Sequence, residues 1–391
     1  MQVHNLSPNL ALSREQQLLL CLAHPQIKDA VAEKIHSLLL AGINWPLFLE
    51  QVEHHWVMMQ IYPHLKQWCS STIPASLLSQ LEVTYFANTA RNLLLVTELL
   101  KLLQLLTAHD IVAIPFKGPI LAVSAYGHLA RRQFSDLDIL VAPADFHRAL
   151  ALLNEQAGYQ KLPTTYRLYP HEYPLVSADG NIFIDLHQQI AGKDFFTFPL
   201  QFEEMTQRLQ DITLLHASVP CFHPEDVLLI LCVHGSKHGW ELLSWICDFA
   251  TFVHIHADLD WSRLYQKAQT LGCDRMLSIG LTLSNELLGV PIPANYPQKS
   301  DQTLVLNRIK TQIYRRCFAP DQQVTSELSW EKVLLHVRLL SRVQDQRAYL
   351  NWCAQRLFTP TYKDINQIPL PQSLSFLYYL LRPLRLVGLL K

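Results

Sequence analysis

From residue 12 to about residue 90, apolar side chains recur at helical spacing, as in QQLLLCLA and KIHSLLLAG; Pro25, Gly42, Pro46 and Pro63 divide the run. The pattern predicts an N-terminal helical region over 1–90. A helix over 90–109 then leads into a stretch where the period shortens to that of a strand. Residues 111–116 (IVAIPF) read as a short strand and Lys117-Gly118-Pro119 as a sharp turn, after which Ile120, Leu121, Ser124 and Ala125 keep helical spacing to Gly127. Pro119 suits the first turn of that helix, where its missing N–H costs nothing. Residues 131–141 (RRQFSDLDILV) read as a second strand, and residues 173–187 as a hairpin centred on Asp179-Gly180, a pair favoured where both turn residues take positive φ. Beyond Phe222 the pattern is helical again, with loops at 290–300, 320–326 and 360–371. These elements predict an α+β protein, mostly helical, with a small mixed-sheet core over 91–215 between helical regions at 1–90 and 216–391.

Within the second strand, alternation puts Phe134, Asp136, Asp138 and Leu140 on one face and Ser135, Leu137, Ile139 and Val141 on the other. The two acids therefore point the same way, with Cα atoms about 6.8 Å apart, two strand rises. Such a pair can converge on divalent ions roughly 3.5 to 4 Å apart, whereas leaving the carboxylates side by side without a cation is costly. A bare D-x-D also occurs at the solvated end of an edge strand. The surroundings favour the metal reading: a glycine turn that lets backbone amides approach a phosphate, Lys117 beside it, and Arg131 and Arg132 directly before the strand. In the hairpin, Ile182, Ile184 and Leu186 share one face and Phe183, Asp185 and His187 the other, so Asp185 supplies a third carboxylate.

The segments FKGPILA (116–122), YGHLARRQFSDLDILV (126–141), AGY (157–159) and IDLHQQI (184–190) resemble the uncharacterised bacterial nucleotidyltransferase family, a branch of the superfamily that includes DNA polymerase beta. VHGSKHGWELLSWICDFATFV (233–253) resembles that family's helical region after the core, so the likeness reaches about half the chain. The resemblance implies a nucleotidyltransferase core in which Asp136, Asp138 and Asp185 are catalytic and hold two Mg²⁺, or Mn²⁺, with the phosphates of an NTP against Lys117 and Gly118. It also implies that Asp185 takes the proton of the attacking group, while Arg131 and Arg132 are candidate phosphate clamps. Many members of the superfamily have Gly-Ser at the turn; here Pro119 follows Gly118, which leaves Lys117 and backbone amides to bind phosphate.

Pro224, Glu225 and Asp226 mark a helix start, followed by a stripe of Val227, Ile230, Leu231, His234 and His238; the next helix groups Trp245, Asp248, Phe249 and Phe252. An aspartate on an aromatic face needs a partner, and His234, Lys237 and His238 are nearest in sequence. These residues and His187 line an acceptor site or join two helices. A zinc set of Cys232, His234, His238 and Cys247 has no H-E-x-x-H or C-x-x-C spacing behind it.

Lys and Arg total 32 against 33 Asp and Glu, which removes the broad basic field used to hold long nucleic acid and favours a small-molecule or peptide acceptor. Charged residues are 17% and hydrophobic ones 49%, a balance that fits a surface used for a partner or self-association. Eight scattered cysteines and no signal-peptide pattern point to reduced thiols and a cytoplasmic protein. No apolar run is long enough to span a membrane; the tail 374–391, with Arg382 and Arg385 among large apolar residues and Pro383 interrupting it, is expected to pack on its own domain, the alternatives being a partner or a membrane surface. The sequence therefore predicts a Mg²⁺-dependent transferase using ATP or another NTP, the alternative being an inactive nucleotide-binding regulatory or scaffold protein of the same fold.

Overall fold

The computed structural model describes residues 12–161, 172–192, 195–297, 303–318, 329–360, 365 and 368–386. Of these residues 62% are helical, so the sheets are a small inset in a helical protein. The first helices are Arg14–Leu22, Asp29–Leu40, Trp45–His54 and Met58–Cys69. Ser13 starts the first through a reciprocal capping box with Gln16, and the Asn44 side chain caps the third, as the polar punctuation between apolar runs dictates. The helix read at 90–109 is longer than its periodicity suggested. It is a 33-residue element, Ala75–Thr107, that runs through the expected boundary at 90. Its first half leaves Val83 and Phe86 exposed, so the apolar spacing there did not mark a buried face.

Seven strands follow among the described residues: β1 (Ala113–Phe116), β2 (Asp136–Val141), β3 (Gln160–Lys161), β4 (Glu172–Val176), β5 (Phe183–His187), β6 (Gln210–Leu214) and β7 (Ala217–Cys221). The first five make a mixed sheet of order β1-β2-β5-β4-β3, with β2 and β5 parallel and the other pairs antiparallel. β6 and β7 form a separate hairpin that the sequence reading passed over.

The sheet divides two hydrophobic cores. Leu137, Ile139 and Val141 of β2, with Ile184 and Leu186 of β5, pack with Leu95, Leu99 and Leu102 of the long helix. Leu140, on the other face of β2, belongs to a larger core that unites the N-terminal helices with helices Pro224–Lys237, Leu243–Ile255 and Asp274–Leu288. The face carrying the acids therefore looks toward helices from both ends of the chain. This is the arrangement that builds a cleft.

Two local expectations are corrected. In the β4–β5 turn only Gly180 has positive φ; Gly180 N–H bonds the Ser177 carbonyl and Asp179 keeps ordinary backbone angles, accepting instead from Ser177 and Asn181. These side-chain bonds make a longer loop than the two-residue turn. In the tail, helix Tyr378–Leu386 continues through Pro383, which forgoes only its bond to the Tyr379 carbonyl. It lies against helix Val343–Phe358, with Arg382 Nε donating to the Arg356 carbonyl at 2.9 Å. Tyr378 OH donates to the Ile368 carbonyl, while Phe376, Tyr379, Leu380 and Leu384 stay exposed. Residues 387–391 lie outside the described residues.

Candidate active site

Parallel pairing puts Asp138 opposite Asp185 and Leu140 opposite His187. Paired residues on a ladder project to the same side, so the register itself brings the second and third predicted acids together. Ligand atoms of Asp138, Asp185 and His187 all lie within 4.8 Å of one another, the one such convergence of His, Cys, Asp and Glu among the described residues. His187 Nε2 is 3.1 Å from Asp138 Oδ1, and the Phe116 ring meets the imidazole edge-on at 5.0 Å. Asp136, two residues earlier on β2, lines the same cleft without joining that closest group.

The Lys117-Gly118 turn forms because β1 must stop and a helix must start in one step. Lys117 takes φ +53° and Gly118 φ +32°, and helix Gly118–Tyr126 follows, ending at Gly127 in the left-handed conformation. A Cβ on Gly118 would sit 3.5 Å from the Asp136 carbonyl oxygen, so the turn packs on the strand that carries the acids. Lys117 Nζ donates to Asp138 Oδ1 at 3.0 Å. Burial alone would raise the Asp138 carboxyl, but the Lys117 ammonium and His187 more than offset it and hold it well below the usual carboxylate range. Asp136 goes the other way: burial and the charge of Asp138 raise it. Burial would lower Lys117, and the carboxylates, Asp138 foremost, keep it protonated. Around Lys117 the three carboxylates of Asp136, Asp138 and Asp185 thus outnumber the one ammonium.

Arg132 is in the cleft wall, but its fork is committed. Nε and Nη2 bond both oxygens of Asp248 at 2.8–3.1 Å, and Tyr126 OH donates to Asp248 Oδ1 at 2.8 Å. This corrects the expectation that His234, Lys237 or His238 neutralises Asp248; the partner lies 116 residues away. Asn92, 1% exposed, donates to the carbonyls of Leu129 and Arg132 and fixes the loop that presents this arginine. Arg131 ends the short 3-10 helix Leu129–Arg131 and is not part of the cleft wall; its charge is felt instead by His64.

His234 and Lys237, on helix Pro224–Lys237, and His238, just after it, line the same cleft with Trp245. The His234 and His238 rings are 4.7 Å apart, and His238 lies 4.9 Å from the Trp245 ring. Burial, with the charges of Lys117 for His234 and Lys237 for His238, lowers both imidazoles well below their ordinary value, so both are neutral. Cys232 bonds the Leu229 carbonyl, and the four residues considered for zinc do not converge. The sequence reading missed the lining residues from the N-terminal region: Trp56, in the turn between helices Trp45–His54 and Met58–Cys69, and Gln60, in the second of them. Only a tertiary contact betrays them. The cleft encloses about 400 Å³, within the range of small-ligand sites.

The family model described as "Uncharacterised nucleotidyltransferase" matches residues 41–289. The chain belongs to this family. The match spans every residue of the cleft, from Trp56 to Asp248, and so includes N-terminal helices that lie before the motif-bearing region. Membership supports nucleotidyl transfer as the class of activity. Comparison with the curated proteins and with the solved structures gave no match. All eight cysteines are buried and unbridged, and among the described residues no helix is long and apolar enough to cross a membrane.

Proposed function

We propose that this nucleotidyltransferase moves a nucleoside monophosphate from an NTP, ATP first among them, to a small-molecule or peptide acceptor in the cytoplasm, with Mg²⁺ or Mn²⁺. The observation that carries the reading is the side-by-side placement of Asp138 and Asp185 on adjacent parallel strands, beside the Lys117-Gly118 turn and at a cleft of small-molecule size. The donor set fits hard divalent ions: carboxylate oxygens from Asp136, Asp138 and Asp185, with His187 orienting Asp138. The excess of negative charge around Lys117 is the electrostatic counterpart of that fit. Such ions, when bound, neutralise charge on the transferred phosphate and position the attacking and leaving oxygens.

The chain's own residues do the rest. Lys117 and the amides at Gly118 hold the phosphates. The acceptor hydroxyl oxygen bonds to the α-phosphorus, its proton passes to Asp185, and the bond to the bridging oxygen breaks, releasing pyrophosphate. The near-zero net charge suits a small acceptor rather than long nucleic acid. The exposed apolar residues of the C-terminal helix, Tyr379, Leu380 and Leu384, with Phe376 in the 3-10 turn before it, form the surface we assign to a partner or a second copy.

The test is transfer of α-labelled NTP to acceptors in a cell extract with Mg²⁺ or Mn²⁺. Transfer that stops in Asp185→Asn supports the reading. Nucleotide binding without transfer supports instead a regulatory protein, and no binding of any NTP sinks both.

A further inference from the structure

Part of the cleft lining is made differently from the carboxylate side. Trp56, Gln60, His234, His238 and Trp245 contribute planar, amide and imidazole groups, with both imidazoles kept neutral and Lys237 the charged neighbour among them. Trp56 is 45% exposed and holds φ +56°, a left-handed conformation uncommon for a bulky residue and concentrated at ligand sites. Its position is enforced by the residue before it. His55 Nδ1 accepts from Leu243 N–H and the His55 carbonyl from Ser244 N–H, each at 3.2 Å. Those bonds tie the corner between two N-terminal helices to the start of helix Leu243–Ile255, so Trp56 and Trp245, each next along the chain from a bonded residue, are held on one rim. Gln60, one turn further on, is 7% exposed, and its Oε1 has no hydrogen-bond partner among the described residues. A buried amide oxygen in that state is costly, and a donor brought by a ligand removes the cost.

We infer that this rim is the nucleobase subsite of the cleft: Trp56 and Trp245 stack on the base and Gln60 reads a donor on its edge. The inference rests on the nucleotidyltransferase reading and adds which end of the nucleotide goes where. The phosphates go to the charged Lys117-Gly118 side, and the uncharged planar group goes to the aromatic side. Stacking is tolerant of base identity, whereas a single amide able to donate and accept is selective.

The test is calorimetric binding, with Mn²⁺, of inorganic tripolyphosphate and of the α,β-methylene analogues of the four NTPs to the full chain. Wild type is expected to bind at least one analogue about tenfold more tightly than tripolyphosphate, and Trp56→Ala and Trp245→Ala to remove about that factor, as loss of a base–aromatic stack does. Tripolyphosphate affinity stays the same in both variants, which shows that they fold. Gln60→Leu changes the order of preference among the four analogues. Unchanged analogue affinity in both tryptophan variants overturns the subsite while leaving the transferase reading intact. Failure of wild type to bind analogues and tripolyphosphate alike overturns both.

Discussion

Replacing Asp138 and Asp136 one at a time by Asn, isosteric changes two residues apart on one strand, should move stability in opposite directions. Asp138 is 6% exposed and bridges to Lys117 at 3.0 Å, with His187 at 3.1 Å. Removing one member of a buried pair strands the other's charge, which costs about 3–5 kcal/mol. Asp136 and Asp185 remain near the ammonium, so we expect about 3 kcal/mol, the low end of that range. Asp136 instead has its carboxyl raised by burial and by Asp138, so its ionised form opposes folding at neutral pH and Asp136→Asn should stabilise. Acid distinguishes the two again. The depressed Asp138 carboxyl contributes stability that is present above the ordinary carboxylate value and lost as pH falls through its folded value. The raised Asp136 carboxyl imposes a penalty that fades as pH falls through its own folded value, so the advantage of Asp136→Asn shrinks on acidification. Thermal unfolding in metal-free buffer, carried from pH 8 to below the ordinary carboxylate value, reads both. An Asp138→Asn protein that melts at or above wild type at pH 7 would refute the reasoning.

EDTA should abolish transfer, and added Mg²⁺ or Mn²⁺ should restore it, measured as label incorporation; activity that survives chelation removes the ion from the chemistry. Arg132→Met should cost about 3–5 kcal/mol by leaving Asp248 buried without its fork, and Arg132→Lys should recover little because the bidentate geometry is lost. Denaturant midpoints check this, and full recovery by lysine contradicts it. Gly235→Ala should destabilise by about 1–3 kcal/mol, because the new Cβ would fall 2.6 Å from the ring of the fully buried Trp240. A melting temperature equal to wild type would show that the indole can yield.

What the sequence disclosed about the site was what a strand or a turn enforces locally. Alternation along β2 and β5 placed Asp136, Asp138, Asp185 and His187 on one face, and a Lys-Gly step between a strand and a helix marked the turn, because these follow from periods of two and 3.6 residues. The helical flanks and the mixed sheet were legible for the same reason. What stayed hidden depends on chain segments far apart in sequence. Nothing near Asp248 names Arg132, and nothing in the run around Trp56 says that it shares a cleft with carboxylates beyond residue 130. Arg131 and Arg132 look alike in sequence, yet a 3-10 turn sends one to the cleft and the other away from it.

The seam at His55 carries a lesson for dissecting the molecule. Because that histidine fastens the beginning of the protein to a helix more than 180 residues later, trimming from the amino end would breach the enclosure long before it reached an acid. A fragment of residues 91–215 alone would keep all three aspartates and lose the lining that runs from Trp56 to Gln60 and from Ile230 to Asp248. Such a piece would be an acidic sheet without a chamber.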